Sequence, residues 1–270
     1  MLRSRARRLL RRATARPPDW EHVPEGWARP AGGWDVDAIA CVYRDHWPSF
    51  LDAVAGPGPL GVNHEVPAGR PVPRDELDAQ QVVLAFAYAL VRAARGRDRL
   101  SLLDWGGGPG HYAVLAAALF PELELEYHSR DLPGLVALGR ELQPQHAFHD
   151  DDVCLDRSYD LVVASSSLQY SPDWRATLAG LARATGDRLY LARVGVAVSS
   201  PSFVVLQRVQ AYGYETEYLG WVLNRDELLA ELASLGLDLE RELLMPETID
   251  AAGAPEAPIR HRGFLLRPSG

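Results

Sequence analysis

The sequence predicts an α/β fold in which a mostly parallel sheet is covered by helices on both faces. From residue 74 onward, short apolar runs of strand length alternate with longer segments of helical spacing. One run, 160–164, is aliphatic after its first residue, as expected of a strand buried on both faces of a parallel sheet. Near the start of the series, a strand pattern leads through four glycines into a helix pattern. These observations favour a doubly wound, Rossmann-like sheet.

Composition restricts the class of protein. The chain has 270 residues, 47% of them hydrophobic, and can bury one substantial core or one core with a small addition. Its formal net charge of −8 argues against a nucleic-acid binder. Cys41 and Cys154 match neither a disulfide framework nor a metal-ligand spacing, and no metal site is predicted. The simplest setting for these two cysteines is a reducing cytoplasm. Because the apolar runs are too short to cross a bilayer, we expect a soluble protein.

Two N-terminal segments precede the main domain. Residues 1–20 form a tail whose first 16 residues hold seven arginines and no acid. This tail is either disordered or a short helix on an anionic membrane, which would place the protein at the inner face; a transit peptide also fits. Residues 21–73 form a small aromatic-rich helical appendage or lid. Prolines between 17 and 30 indicate a linker, 34–54 has helical spacing, and the loop 56–73 encloses Asn63, His64 and Glu65.

Residues 74–270 form the predicted main domain, and each of its elements follows from a local pattern. A long helix over 75–94 begins with acids and ends with arginines, as the helix dipole favours. Further helices are predicted over 112–120, 135–142, 173–184 and 225–235. Strands are predicted over 100–103, 123–131, a short run ending at 148, 160–164, 188–194, 237–244 and 263–266, with a polar loop between 194 and 225.

The strongest functional signal is the segment 104–110, which reads D-W-G-G-G-P-G. Glycines let the backbone take positive φ and approach a ligand closely, and the helix that follows offers free amide groups. The dinucleotide fingerprint G-x-G-x-x-G fails in both registers, because its third glycine falls on His111 or Ala113. A glycine-rich turn without a ligand is the alternative. The candidate cofactor-binding residues are Asp104, Gly106, Gly107, Gly108 and Gly110.

This D-x-G-x-G-x-G pattern resembles motif I of the class I S-adenosylmethionine-dependent methyltransferases. The resemblance implies S-adenosylmethionine as the cofactor, with the motif acid organising the loop and the methionine end of the cofactor. It also implies a seven-stranded sheet with an antiparallel last strand, which the closing pair of strands fits. No other cofactor is expected.

Further candidate cofactor contacts follow the next three strands. Asp131, with Leu132 beside it, lies 21 residues beyond Gly110 at a strand tip, where a carboxylate can accept both ribose hydroxyls. In the family an acid after the third strand accepts from the adenine amino group, and we favour Asp150 or Asp151 over a merely solvated acidic turn. Ser165 and Ser166 end the fourth strand and are expected to line the same site.

A narrower resemblance is to a subgroup of methyltransferases often associated with cell-surface polysaccharide gene clusters. It covers roughly residues 30–267 and implies polysaccharide biosynthesis, although the loop 193–203 departs from the subgroup's Thr-Pro pattern. The stretches that carry it are 103–110, Asp131-Leu132-Pro133, Ala164-Ser165-Ser166-Ser167-Leu168-Gln169-Tyr170, and Val204-Val205-Leu206-Gln207 followed by Tyr212 and Tyr214.

Methyl transfer mainly requires alignment of donor and acceptor, and a hydroxyl acceptor also requires a base. We select His111 and Tyr170 as catalytic candidates, with His64 and Glu65 as further possible bases. His111 opens a helix, whose positive end favours a neutral imidazole, and it could equally be a cofactor contact or only a packing residue of the helix. Tyr170 and Gln169 follow a strand at its carboxyl end, where ligands bind, and we expect them at the cofactor or the acceptor; a packing role is the alternative for Tyr170. Tyrosines that could stack on a sugar or aromatic acceptor are Tyr212, Tyr214 and Tyr218.

The sequence therefore predicts a methyltransferase acting on a small-molecule or glycan-linked acceptor at oxygen. One alternative is a catalytically silent cofactor-binding or scaffold subunit of a membrane-associated glycan-synthesis assembly, docked through its arginine-rich tail. Another is a nicotinamide-dependent enzyme such as a nucleotide-sugar epimerase, whose fingerprint is absent. No nucleic-acid partner is expected, and the sequence does not indicate the oligomeric state.

Overall fold

A computed structural model describes residues 17–28, 33–34, 36–63, 69–208 and 216–270. The tail up to residue 16, His64, Glu65, Tyr212 and Tyr214 lie outside these ranges. The strands are Trp20–Val23 (β1), Arg99–Trp105 (β2), Glu124–Arg130 (β3), Ala147–His149 (β4), Tyr159–Ser165 (β5), Thr185–Ala197 (β6), Phe203–Arg208 (β7), Glu217–Asn224 (β8), Leu237–Ile249 (β9) and Ile259–Pro268 (β10). The α-helices are Val36–Val54 (α1), Leu77–Ala94 (α2), His111–Leu119 (α3), Pro133–Leu142 (α4), Trp174–Ala184 (α5) and Arg225–Ser234 (α6).

Seven strands form the doubly wound sheet that the sequence predicts. Their order is β4-β3-β2-β5-β6-β10-β9. The first five are mutually parallel, whereas β10 runs antiparallel to both β6 and β9. The fold class is therefore confirmed, including the antiparallel last strand.

The prediction of a polar loop between residues 194 and 225 is wrong. Strands β7 and β8 lie there as an antiparallel pair, and β8 joins the end of β6 in parallel through Val196 and Ala197. The prolines around β1 indicated a linker, but β1 pairs with β7. These short strands are stabilised by pairing with one another. Because that pairing is not visible in the local sequence pattern, the strands were not predicted.

The two faces of the sheet bury separate cores. Alternate residues of β2 point to opposite faces, so that Leu102 packs beneath α2 and α3 whereas Leu103 packs beneath α5 and α6. Phe86 and Leu90 of α2 fill the first core. Trp174, fully buried at the start of α5, fills the second. Because β2 to β6 are parallel, their carboxyl ends lie at one edge of the sheet between these cores.

Helix α1 covers part of that edge. Ile39 and Val42 pack against Leu135 and Leu138 of α4, while Trp47 joins the core beneath α2. The predicted helix is therefore present, and the division of the chain at residue 73 stays a prediction. Within the described ranges, no helix combines the length and apolar character needed to cross a membrane.

The loop after β6 closes around one carboxylate. The backbone amides of Val198, Ser199 and Ser200 all donate to Glu256. Burial opposes ionisation of Glu256, but these hydrogen bonds outweigh it and lower its pKa to about 2.

Replacing this carboxylate should destabilise the loop. We expect Glu256→Ala to lower the free energy of unfolding by about 1 kcal/mol, because three loop amides lose a charged acceptor that water replaces only in part at this largely exposed loop. Denaturant titration at pH 7 measures the loss. Since the folded pKa is depressed, the wild-type advantage is present above the unfolded pKa of about 4.3 and disappears as the pH falls through the folded value. An advantage as large at pH 2 as at pH 7 would contradict the account.

Candidate active site

The glycine loop between β2 and α3 adopts a conformation that side chains would prevent. Gly106, Gly108 and Gly110 have φ values of 77°, 55° and 96°. A Cβ on Gly106 would lie 2.4 Å from the Cβ of Ser167, and one on Gly107 would lie 2.5 Å from the Cγ of Asp104. The loop therefore requires glycine for its dihedral angles and for close approach.

Asp104 lies beneath this loop rather than beside an open cleft. Its side chain is buried, and the Tyr127 hydroxyl donates to its Oδ2 at 2.7 Å. Burial raises the pKa of Asp104 to about 7, and the bond from Tyr127 opposes this rise. The acid thus organises the loop from below. Tyr127 gave no separate signal in the sequence, because it continues an ordinary strand alternation.

The raised pKa of Asp104 predicts a pH-dependent stability. A carboxyl whose folded pKa exceeds its unfolded value of 3.8 stabilises the fold below pH 3.8, and this contribution is lost as the pH rises through about 7. Between pH 5 and pH 8 this carboxyl should cost the wild type roughly 3 kcal/mol of stability, and Asp104→Asn, which keeps an acceptor for Tyr127, should remove most of that difference. Thermal unfolding of both proteins across that range measures the change. If the stability of the two proteins depended on pH in the same way, Asp104 would not be a buried carboxyl that titrates in this range.

Asp131 meets the glycine loop from the tip of β3. Its Oδ2 accepts from the Gly108 amide at 2.7 Å, and its Oδ1 accepts from the Leu132 amide at 2.6 Å. Burial raises its pKa, against the effect of these two backbone bonds. Each carboxylate oxygen keeps a second lone pair for a ligand hydroxyl. The structure therefore brings together Asp131 and the loop.

A second, unpredicted contact fixes the start of α3. Gln143 is buried at the end of α4, and its Nε2 donates to the carbonyls of Pro109 and Gly110 at 2.6 and 3.0 Å. Nothing in the local sequence distinguishes this glutamine from a surface residue. Its role depends on a partner 33 residues away.

The acidic run after β4 is exposed and partly engaged. Asp151 accepts from the Val153 amide at 3.2 Å, and Asp152 pairs with Arg130, whose guanidinium lies 4.3 Å from the ring centre of Trp105. Asp150 lies 4.0 Å from Arg140. The preference for Asp150 and Asp151 as cofactor contacts stays a prediction.

The turn after β5 links two strained residues. Ser166 and Arg193 are the non-glycine residues with positive φ in the described parts of the chain, at 51° and 55°. Gln169 joins them, since its Nε2 donates to the Arg193 carbonyl at 3.1 Å and to the Ser166 hydroxyl at 3.3 Å. Ser165 accepts from the Tyr112 hydroxyl at 2.9 Å. Strain held in this way at a strand edge is typical of functional sites.

His111 is enclosed by helix α1. It is 7% exposed, and the ring centres of Tyr43, Trp47 and Phe50 lie 5.1, 5.2 and 4.8 Å from its own. This enclosure favours the packing interpretation of His111 over a role as base. Tyr43 also reaches the loop, because a Cβ on Gly108 would lie 3.7 Å from it.

Tyr170 belongs to an aromatic cluster at the same edge. Its hydroxyl donates to Gln207 at 2.9 Å, and its ring meets Trp34 and Tyr218 edge to face. Trp34 and Tyr218 stack with their ring centres 4.1 Å apart. Two sequence stretches that carry the narrower resemblance, 164–170 and 204–207, therefore meet through Tyr170 and Gln207.

A glycine loop at the carboxyl edge of a doubly wound sheet, with one antiparallel strand at its far side, defines the class of fold. A family model described as a methyltransferase domain matches residues 79–242, which is more than half of the chain. The chain belongs to this family. The match spans the glycine loop, Asp131 and the turn after β5.

The chain is similar to several solved structures. An S-adenosylmethionine-dependent methyltransferase from Clostridium acetobutylicum is 12% identical with a TM-score of 0.51, over 73% of this chain and 94% of that one. Magnesium protoporphyrin IX methyltransferase from Synechocystis PCC 6803 is 16% identical with a TM-score of 0.49, over 89% and 100%. A sugar N-methyltransferase from Streptoalloteichus is 18% identical with a TM-score of 0.47, over 70% and 87%. A search of curated proteins found no significant match.

Proposed function

We propose that this protein transfers a methyl group from S-adenosylmethionine to a small-molecule or glycan-linked acceptor, at an oxygen atom. The observation that carries the proposal is the contact between the glycine loop and Asp131, 2.7 Å from the Gly108 amide to Oδ2, in a chain of the methyltransferase-domain family. This contact joins the two predicted cofactor-binding stretches at the carboxyl edge of the sheet, where open α/β sheets bind ligands.

The residues at this edge fit the proposed cofactor. The glycines leave the loop backbone uncovered by Cβ atoms, and Asp131 has lone pairs for two ribose hydroxyls. Asp104, under the loop, supplies negative charge for a cationic ligand once it is ionised. Asp150 or Asp151 would accept from the adenine amino group, with Leu132, Ser165 and Ser166 lining the remaining side.

Methyl transfer requires no covalent intermediate with the protein. When bound, the cofactor supplies a methyl group on a positively charged sulfur. The protein then has to hold the acceptor in line with that methyl group, and alignment alone can contribute roughly 7–11 kcal/mol. Tyr170 and the aromatic cluster around it would orient the acceptor, since sugars and aromatic rings both stack on such side chains.

A turnover experiment tests the proposal. Purified protein is incubated with S-adenosylmethionine carrying a deuterated methyl group and with a metabolite and glycan extract. Mass spectrometry should find a product that gains one labelled methyl, with the label on oxygen in its fragment ions. Label on nitrogen or carbon would correct the atom, whereas cofactor binding without any labelled product would favour a catalytically silent subunit. The Asp131→Ala variant lacks the proposed ribose contact, and its labelling of the product should be reduced.

A further inference from the structure

Helix α2 carries a row of exposed apolar side chains, which we call the α2 stripe. Its members Leu77, Leu84 and Val91 are 81%, 55% and 46% exposed. Residues seven apart lie on one face of a helix, so these side chains form a row of about 21 Å. Phe86 and Leu90 fill the core on the side of α2 that packs on the sheet. The α2 stripe is therefore not needed to bury α2 on its own chain.

The α2 stripe is continuous with further uncharged surface. Gln81 and Tyr88 occupy the positions between its members, which gives the spacing of the seam in a two-stranded coiled coil. Leu244 of β9 borders this surface, since Gln81 donates to the Leu244 carbonyl at 2.8 Å and Leu244 is itself 66% exposed. Isolated exposed apolar residues are ordinary, whereas a contiguous group of them marks an interaction surface.

The charges that flank the α2 stripe are segregated by sign. Asp75 and Asp78 lie at its N-terminal end, Arg92 and Arg95 lie at its C-terminal end, and no charged residue separates Asp78 from Arg92. Because Asp78 and Arg92 are two heptads apart, they stand on the same side of the stripe. Arg92 also pairs with Glu240 of β9, but its side chain is 37% exposed and its guanidinium has donors for a second partner.

The apolar row and the charges together define what fits this surface. A second copy of α2, laid antiparallel with a two-fold axis at Leu84, brings Leu84 against its own copy and Leu77 against Val91. Each Asp78 then faces Arg92 of the other copy. In a parallel pair, Asp78 would face Asp78 and Arg92 would face Arg92, which is unfavourable. The antiparallel order also sets each helix N-terminus beside the C-terminus of the other helix, as the helix dipoles favour.

We propose that the α2 stripe is the interface of a homodimer in which two copies of α2 pack antiparallel across a two-fold axis at Leu84. Asp78 and Arg92 form the inner ion pairs of this interface, and Asp75 and Arg95 form the outer ones. A second copy, unlike a membrane surface, uses the apolar row and both charged ends at once. Two-fold dimers are the commonest oligomers of soluble proteins. The inference is independent of the reaction that the protein catalyses.

Sedimentation velocity of the full chain, from micromolar to several hundred micromolar concentration, tests the dimer. The wild type should sediment as a dimer at the upper concentrations. Leu84→Glu places two carboxylates at the axis and should raise the dissociation constant roughly 100-fold. Leu51→Glu is the matched control, because Leu51 is a leucine of helix α1 that is 41% exposed. This control should dimerise as the wild type does.

Cysteine cross-linking tests the orientation, in a Cys41→Ser background that removes the exposed native thiol. Leu84→Cys should form a disulfide between two copies on mild oxidation, because the axis brings this position close to itself. Leu77→Cys and Val91→Cys should each fail to cross-link alone and should cross-link with one another when mixed. In a parallel dimer, each would instead cross-link with its own kind.

Charge exchange tests the outer ion pairs. Asp75→Arg should weaken dimerisation roughly tenfold at low salt, since two like-charge contacts replace two opposite-charge contacts. Asp75→Arg combined with Arg95→Asp should restore the wild-type dissociation constant. A combined variant that stays as weak as Asp75→Arg overturns the antiparallel register.

Four further results overturn the interface: a wild type that stays monomeric at every concentration, a Leu84→Glu variant that dimerises like the wild type, an equal loss in Leu51→Glu, or self-cross-linking of Leu77→Cys. Circular dichroism reports whether each variant is folded. If Leu84→Glu does not fold, the cross-linking of Leu84→Cys decides: a disulfide-linked dimer supports the interface, and its absence overturns it.

Discussion

Gly106→Ala is expected to reduce the affinity for S-adenosylmethionine at least 100-fold. At a φ of 77°, the new Cβ would lie 2.4 Å from the Cβ of Ser167. Ser167 cannot withdraw easily, because its hydroxyl donates to the Trp105 carbonyl at 2.7 Å. The loop would have to move away from the edge where it meets Asp131. Isothermal titration calorimetry measures the loss.

Gly96→Ala separates this clash from ordinary backbone strain. Gly96 has a φ of 74°, but a Cβ there would meet nothing within 4 Å. We expect this control to lose roughly 1–2 kcal/mol of stability through the left-handed conformation alone and to keep its cofactor affinity. Equal affinity losses in the two variants would show that the close approach at Gly106 does not matter.

Asp131→Asn is expected to weaken S-adenosylmethionine binding by roughly 1–3 kcal/mol, or about five- to 150-fold. The amide removes the carboxylate's full acceptor capacity for two ribose hydroxyls. The NH₂ group of the asparagine must also face either the Gly108 amide or the Leu132 amide. Both of these amides are donors, so one hydrogen bond is lost. Calorimetry with the cofactor measures the change.

Asp152→Asn is the matched control for Asp131. Asp152 follows the neighbouring strand β4, and its side chain is 62% exposed and paired with Arg130. The Asp152→Asn substitution should leave the affinity for S-adenosylmethionine within twofold of the wild-type value. If Asp131→Asn behaves like Asp152→Asn, Asp131 does not bind the ribose.

The sequence anticipated the parts of the site that depend on local pattern. The glycine loop follows from a strand, a turn and a helix that are contiguous, and Asp131 follows from the next strand's length. The parallel strands were readable because their side chains repeat every two residues while the helices repeat near every 3.6. The positions of Gly106 and Asp131 relative to one another then came from topology.

What could not be predicted depends on contacts between distant segments. Tyr127 and Gln143 contact the glycine loop or its acid through partners on other elements, and their own surroundings in the sequence are unremarkable. Strands β7 and β8 pair with one another across residues 209–216. His111 was selected from its place at a helix start, and α1, far earlier in the chain, encloses it; its role as a base stays a prediction.

Calorimetry of the wild-type protein with S-adenosylmethionine, S-adenosylhomocysteine and NADH tests the central claim most directly. The account predicts one site per chain for each of the first two ligands and no heat of binding for NADH, because the dinucleotide fingerprint is absent from the glycine loop. Folded protein that binds neither S-adenosylmethionine nor S-adenosylhomocysteine would contradict it.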